Sequence, residues 1–361
     1  MSAAVPDKER IHFLPVGKGS VEHISQSPPM TSPVTATTDW IYCLNKFRFF
    51  PLGKQNRFVP DRDFTLKSYI DAIQNNIKTC SDTALSISMP LKHTLCEHYG
   101  VTKNTHPIRN YLDNLLQEAR LISELVPRRC TISYLHWNKN IHQLLDDAEM
   151  TELMFHLNKH FSLLPEGKGR YVIELRFEHI TDNTIPLIKG LGFTHICLET
   201  PTFTTEPQAR QFVRQMAMMR NYGFETISAS LALDDDIDIA DKKRQIDVLT
   251  ESRPDSICLL DSIDRYRDTT AKDQSASSPD SDLIRQLISA GYTKKGFCKY
   301  SNCDKTDKWY IHDLIAMGLS ANSIIDNILT RNADQLDQYI KCIREKQLPF
   351  QYGGYLIPQN G

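Results

Sequence analysis

The sequence lacks a long hydrophobic run and an excess of charge of either sign. Its 361 residues carry 42 Lys and Arg against 44 Asp and Glu, and a formal net charge of -2 provides no basic field to attract nucleic acid or an anionic membrane. The longest apolar runs, 257–260 and 311–319, are too short or too interrupted to cross a bilayer. We therefore expect no membrane span and no nucleic-acid partner.

The sequence also lacks the cysteine pattern of a disulfide framework. The nine cysteines are odd in number and scattered, and Cys197 and Cys258 lie in apolar, strand-like runs where a free thiol behaves as a small hydrophobe. Residues 1–25 do not show the positive-then-apolar order of a secretory signal. These absences predict reduced thiols and a cytoplasmic location.

What the sequence does contain is a regular alternation of strand-like and helical segments. Six short apolar runs lie at 83–89, 131–137, 171–175, 195–198, 226–233 and 256–260. Segments with apolar residues at helical spacing lie between them, at 108–125, 148–161, 206–222 and 239–249. This alternation predicts an α/β protein with a parallel sheet buried on both faces, either doubly wound or a partial barrel.

Two stretches of different composition divide the chain. Residues 1–38 mix Ser, Thr, Pro and Gly without periodicity and predict a disordered tail, and the Ser- and Asp-rich stretch 267–282 predicts a flexible linker. The barrel or sheet should therefore occupy 39–266, and a C-terminal segment, 283–361, should pack on it. Ligands of such folds bind at the carboxyl ends of the strands, so the loops after the six runs should hold any site.

Motifs in these loops follow one another in a recognisable order. LSISMPLKHTLCEHYGV at 85–101 is followed by LHW at 135–137, VIEL at 172–175, LGF at 191–193 and MGLSA at 317–321. Together with KFRFFP at 46–51, they resemble the oxygen-independent coproporphyrinogen III oxidases, radical S-adenosylmethionine (SAM) enzymes of heme biosynthesis. The resemblance implies a radical SAM-type (β/α)6 partial TIM barrel with an N-terminal extension and a short, α-rich C-terminal segment.

The cluster motif of that family is not intact in this sequence. The resemblance implies a C-x3-C-x2-C motif whose thiolates hold a [4Fe–4S] cluster, but the matching positions are Lys92, Cys96 and Tyr99. Lysine is a cation at neutral pH, and a tyrosinate ligand would need a pKa about three units below its usual ~10. We interpret the chain as a degenerate member that has lost the cluster and SAM, so that no cofactor is expected.

The positions that the resemblance assigns to SAM contacts are also changed. The glycine-rich loop of the family, in which residues without Cβ permit close approach of the ligand, is replaced by Asn-Lys-Asn-Ile-His at 138–142. Ser230 stands where the resemblance implies an aspartate, and Glu174 keeps a family-like identity. The candidate cofactor-binding residues are therefore Glu174, Ser230, Asn138 and Asn140, and no catalytic residue is assigned.

A replacement site could have arisen where the cluster motif was lost. Cys96, His93 and His98 form an H-x2-C-x-H pattern, and imidazole plus thiolate suits a mononuclear zinc, iron or copper site. The alternative is a solvated loop with one residual cysteine. Exposed groups at the barrel mouth, including Tyr99 and His142, could instead ligate heme iron.

Three functions follow from these observations. The leading prediction is a non-catalytic homologue, a pseudoenzyme of porphyrin and heme metabolism, that binds a tetrapyrrole, another small molecule or a protein partner. The second is a metal-dependent enzyme that uses the site at His93, Cys96 and His98. The third is an active porphyrin-pathway radical SAM oxidoreductase with an atypical cluster.

Overall fold

Strands and helices alternate along the chain as the apolar periodicity predicts. The computed structural model describes residues 56–75, 77, 83–100, 106–127, 130–165, 167–200, 203, 205–233, 238–261, 281–294, 299–302 and 311–358. The predicted tail lies outside these residues, and so does the predicted linker apart from its last two residues. No helix of these ranges is long and apolar enough to cross a membrane.

All six predicted strands are present. The strands of the first part of the chain are β1 (Asn56–Pro60), β2 (Thr83–Ile87), β3 (Thr131–Trp137), β4 (Ser162–Leu163), β5 (Arg170–Arg176), β6 (His195–Thr200), β7 (Thr226–Leu233) and β8 (Ser256–Asp261). The short strands β1 and β4 were not expected from the sequence. The six predicted runs correspond to β2, β3, β5, β6, β7 and β8, which confirms the strand assignments.

The four predicted helices are present to within a few residues at each end. The helices are α1 (Leu66–Asn75), α2 (Lys92–Tyr99), α3 (Pro107–Leu125), α4 (Lys139–Leu144), α5 (Asp147–His160), α6 (Thr184–Gly190), α7 (Glu206–Asn221), α8 (Ile239–Ser252), α9 (Ser281–Ser289) and α10 (Leu336–Arg344). Local signals fix their ends: Asp146 and Glu149 form a capping box at the start of α5. Gly192 and Gly223, with φ of 89° and 74°, supply the left-handed residues after α6 and α7.

Strand order decides between the two architectures that the spacing left open. Within the sheet, the strands of the first part of the chain lie side by side in the order β2-β3-β5-β6-β7-β8, with β4 paired to β3. Neighbours from β2 to β8 are parallel and follow one another in chain order, without the reversal that defines a doubly wound sheet. The result is the partial barrel of six βα units that the resemblance implied.

The C-terminal segment is richer in strands than expected. Its described residues form β9 (Thr293–Lys294), β10 (Lys299–Ser301), β11 (Asp313–Met317), β12 (Asn322–Ile325), β13 (Ile328–Asn332) and β14 (Phe350–Pro358), with only α9 and α10 as helices. The prediction of an α-rich segment is wrong for these residues. A two-residue turn between two Ile-rich runs, with Asp326 at φ 55°, is a hairpin signal that the sequence analysis missed.

The two faces of the parallel sheet differ in character. On one face Leu85, Trp137 and Leu198 pack under the helices in the main hydrophobic core. The opposite face, here called the inner face, is apolar around Tyr134 and Val172 but polar and partly exposed near the carboxyl ends of the strands. The prediction of a sheet buried on both faces therefore fails at that end, where the inner face is a polar surface.

Candidate functional site

A row of hydrogen-bonded side chains crosses the inner face at the carboxyl ends of β2, β3 and β5. The Oγ of Ser86 lies 3.0 Å from Nδ1 of His136, and Nε2 of His136 lies 3.0 Å from Oε1 of Glu174. The His136 and Glu174 side chains are only 4% and 14% exposed. When Glu174 is ionised its carboxylate can only accept, so Nε2 of His136 would donate to it and Nδ1 of the neutral imidazole would accept from the Ser86 hydroxyl. The row aligns a hydroxyl, an imidazole and a carboxylate.

The carboxylate of Glu174 also reaches residues 138–142, which the resemblance matches to the family's glycine-rich loop. Its Oε2 accepts a hydrogen bond from the Lys139 backbone N–H at 3.4 Å. The Lys139 ammonium in turn pairs with Glu199 on the next strand, and Nε of Arg176 lies 3.7 Å from the same Glu199 oxygen. Lys139, Arg176 and Glu199 are each about one-third exposed or slightly less, so a mixed-charge rim borders the buried row.

The predicted cofactor-binding asparagines hold the turn that follows β2. Asn138 donates from Nδ2 to Ser88 Oγ at 2.9 Å and to the Met89 carbonyl at 3.1 Å, and its Oδ1 accepts from the Met89 N–H at 3.2 Å. Asn140 donates to the same Met89 carbonyl at 2.8 Å. These side chains fix the shape of the turn through contacts within the protein. Their assignment as ligand contacts stays a prediction.

Ser230, the fourth predicted cofactor-binding residue, lies farther along the sheet. Ser230 is on β7, two strands from Glu174, and is partly exposed on the inner face. Its Oγ donates to the Leu198 carbonyl at 3.4 Å. Glu174 and Ser230 therefore share a surface without touching, and a ligand that contacts both would have to span roughly two strand spacings, about 10 Å.

The positions of the implied cluster ligands lie on helix α2 and not on a loop. Leu95 anchors this helix in the core, and Lys92, Cys96 and Tyr99 share one helical face because a turn takes about 3.6 residues. Lys92 is exposed, and burial raises the pKa of Tyr99, which disfavours the tyrosinate. One thiol, one ammonium and one neutral phenol do not fit the thiolate set that a [4Fe–4S] cluster requires.

The structure does not bring together the three residues of the predicted replacement metal site. Along α2, His98 lies about 200° around the helix axis from Cys96, so His93, Cys96 and His98 cannot all face one ion while the helix is intact. Nδ1 of His98 lies instead 3.1 Å from Asp337 on α10. Among the residues that the structure describes, no group of three His, Cys, Asp or Glu side chains is placed to hold a metal ion.

His142 is also placed differently from the expectation of an exposed heme ligand. Its Nε2 lies 3.2 Å from the Thr184 hydroxyl on α6, and its Nδ1 is buried. Burial, aided by the nearby His179, lowers the pKa of His142 to about 4. A neutral, enclosed imidazole of this kind is part of the packing behind the site.

A buried carboxyl that was not among the predicted site residues supports the loops next to the site. Glu118 on α3 is fully buried and accepts hydrogen bonds from the Gly318 N–H at 2.8 Å, Tyr339 OH at 2.7 Å and Asn332 Nδ2 at 2.7 Å. Burial raises the pKa of Glu118 to about 7. Gly318 abuts the Ser88 carbonyl so closely that a Cβ would lie 2.1 Å from its oxygen. The hydrogen bonds of Glu118 and the close packing of Gly318 therefore hold the loop after β11 against the turn after β2.

Comparisons with known proteins agree with the resemblance read from the motifs. The chain is 21% identical over 326 residues to the oxygen-independent coproporphyrinogen III oxidase of Pseudomonas aeruginosa, which covers 79% of this chain and 70% of that protein. It is 28% identical over 129 residues to the protein of the same name from Salmonella typhimurium, which covers 35% of this chain and 28% of that protein. No protein-family model matches the chain.

The fold also matches that of a solved structure. Coproporphyrinogen III oxidase from Escherichia coli, a radical SAM enzyme, matches with a TM-score of 0.68 at 19% identity, over 88% of this chain and 80% of that one. The predicted α/β barrel fold is therefore confirmed. The similarity to oxygen-independent coproporphyrinogen III oxidases that the motifs predicted is confirmed as well.

Proposed function

We propose that this chain, similar in sequence and fold to the oxygen-independent coproporphyrinogen III oxidases, is a homologue without cluster-dependent SAM cleavage that binds a carboxylate-bearing tetrapyrrole or related small molecule. One observation carries the proposal: the three implied cluster positions offer a single sulfur, at Cys96. Thiolates hold the iron atoms of such clusters, so Lys92 and Tyr99 leave two irons without a suitable donor.

The structure around this segment supports the loss of the cluster. Leu95 is completely buried, and the His98–Asp337 contact ties α2 to α10, so the segment has a folded structure of its own. The asparagine contacts to Met89 likewise give the former glycine-rich loop a role in holding the turn after β2. Both segments are built into the protein by contacts that do not require a cofactor.

The remaining surface supports a binding role. The inner face stays polar and partly exposed at the carboxyl ends of the strands, where ligands of such folds bind. Lys139 and Arg176 place two cations at its rim, beside Glu199. Carboxylate side chains of a tetrapyrrole could pair with these cations, and the tetrapyrrole class itself is suggested by the names of the relatives.

Cluster reconstitution tests the first half of the proposal. The purified protein is treated anaerobically with iron and sulfide, and its visible spectrum and its release of 5′-deoxyadenosine from SAM are measured. We expect neither a stable cluster band nor SAM cleavage. The matched control is the double variant Lys92→Cys with Tyr99→Cys, which completes the thiolate spacing and should acquire the band. A cluster with SAM cleavage in the unaltered protein would contradict the proposal.

Ligand titration tests the second half. Binding of coproporphyrin III, followed by its fluorescence, should saturate, and Lys139→Ala or Arg176→Ala should weaken it about fivefold, equivalent to about 1 kcal/mol for a partly exposed ion pair. Lys168→Ala is the control, because Lys168 is exposed in the turn before β5, at the opposite end of that strand. Absence of binding, or equal affinities in all variants, would show that this rim does not bind the porphyrin.

A further inference from the structure

We propose that Ser86, His136 and Glu174 form a nucleophilic site in which His136 activates the Ser86 hydroxyl toward carboxylic esters and related acyl or phosphonyl compounds. This inference goes beyond the proposed binding function and does not depend on it. It rests on the two 3.0 Å contacts that join the three side chains on the inner face. A hydroxyl bonded to a base that is itself held by a third group is the arrangement of an activated nucleophile.

The sheet fixes the geometry of the three groups. Ser86 and His136 are direct partners in the parallel pairing of β2 with β3, and Glu174 follows Ile173, which pairs with the residue after His136. The alternate residues Leu85 and Ile173 are completely buried on the other face, so the strands cannot slide without exposing the core. Rigid strands of this kind hold a nucleophile and its base in register before any substrate arrives.

The surroundings of His136 favour proton transfer from Ser86. Glu174 holds the imidazole through Oε1 and is itself held through Oε2 by the Lys139 N–H. The carboxylate would stabilise the imidazolium that forms when His136 accepts a proton, and it does so more strongly because both groups are mostly buried. Ser86 itself is only partly buried on the inner face.

The reaction balances without any further cofactor. The Ser86 oxygen attacks the carbonyl carbon of the ester while its proton passes to Nδ1 of His136. The bond between that carbon and the alcohol oxygen then breaks, and the alcohol leaves with the proton from His136. Water adds to the acyl-serine in the same way and releases the carboxylic acid, which restores the Ser86 hydroxyl and neutral His136.

A fluorophosphonate probe tests the site directly on the full-length protein. The Ser86 oxygen would form a bond to phosphorus, fluoride would leave, and His136 would take up the proton. Intact mass and peptide mapping should show one label, on Ser86, and no label in Ser86→Ala. Labelling should slow about 100-fold in His136→Gln and about 10-fold in Glu174→Gln, in the range of general-base and orienting contributions.

The chain offers a matched control on the same surface. Ser228 is also partly buried on the inner face, but its hydroxyl contacts Ser256 Oγ at 2.9 Å and not an imidazole, so Ser228→Ala should label at the normal rate. The rate in the unaltered protein should depend on pH, because only a neutral imidazole can accept the Ser86 proton. Circular dichroism verifies the fold of each variant. If His136→Gln does not fold, the pH dependence of labelling and the labelling rate of Glu174→Gln test the inference in its place.

Two outcomes would overturn the inference. The first is a natively folded protein whose Ser86 stays unlabelled, which is what a purely structural hydrogen bond predicts. The second is labelling of Ser86 at a rate independent of His136, Glu174 and pH.

Discussion

The fully buried carboxyl of Glu118 should make the stability of this protein depend on pH in a defined direction. Its pKa rises from an ordinary value of 4.5 to about 7 because the folded protein removes the carboxyl from water. A group whose folded pKa is raised stabilises the fold fully below its unfolded pKa, and this contribution is lost as the pH rises through the folded pKa. The contribution of Glu118 should therefore fall between about pH 4.5 and pH 7.

The size of this effect follows from the shift. A difference of roughly 2.5 pKa units, at about 1.4 kcal/mol each, corresponds to roughly 3 kcal/mol of unfolding free energy. Glu118→Gln removes the titrating carboxyl and also lowers the unfolding free energy by an amount that does not vary with pH. Its amide nitrogen would have to face a donor, either Asn332 Nδ2 or the pair of Gly318 N–H and Tyr339 OH, which costs about 1–3 kcal/mol.

Urea unfolding of the unaltered protein and of Glu118→Gln at pH 5, 6, 7 and 8 measures the effect. Other titrating groups are common to both proteins, so their contributions cancel in the difference. The variant should be less stable at pH 5, and the gap should shrink by roughly 3 kcal/mol, or reverse, by pH 8. Two parallel pH profiles would refute the reasoning, because they would mean that Glu118 has the same pKa in the folded and unfolded chains.

Three further outcomes are expected from the same region. Asn138→Ala should lower the unfolding free energy by about 2 kcal/mol in chemical denaturation, since three partly buried hydrogen bonds to the turn after β2 are lost; an unchanged midpoint would contradict this. Gly318→Ala should cost at least about 3 kcal/mol or prevent folding, judged by circular dichroism, because φ is 108° and the new Cβ would lie 2.1 Å from the Ser88 carbonyl. His142→Gln should reduce the stability that the protein loses on acidification from about pH 6.5 toward pH 4, because the pKa of His142 is lowered in the folded protein. Thermal unfolding at pH 4.5 and pH 7 measures this. An equal loss of stability in both proteins would contradict the prediction.

The parallel core could be predicted from the sequence because its periodicity is local. The helix over 107–125 carries apolar residues at every third or fourth position, and the six strand runs are separated by such helices. Spacing could not choose between a doubly wound sheet and a barrel, since that choice depends on strand order. The family motifs carried the additional information, and the strand order agrees with them.

The site was predicted less well because it depends on contacts between distant strands. His136 stands in the LHW motif, but its partners Ser86 and Glu174 lie 50 and 38 positions away. Glu118 does carry a signal in the sequence, because it lies three residues after Leu115 and four before Ile122, on the apolar stripe of its helix. A carboxyl on such a stripe has to be buried with partners, which is a sign of a polar cluster.

Helix α2 shows a different limit of the motif-based prediction. The cluster motif of the family led to the expectation of a loop, and the segment 92–99 has weak amphipathic character, with Leu95 as its one buried residue. Because helix formation alters which side chains can meet, His93, Cys96 and His98 of the H-x2-C-x-H pattern do not share one face of α2. Sequence spacing indicates ligand geometry only when the backbone conformation is known.

The position of β11 in the sheet bears on how the protein is made. β11 pairs in parallel with β2, so Asp313 is the partner of Thr83, and the first strand of the barrel is completed by residues synthesised more than two hundred positions later. Pairings this distant slow folding. During synthesis one edge of β2 would stay unpaired until β11 has been made. A nascent chain that stalls before residue 311 would expose that edge to pairing with other strands, and so to aggregation.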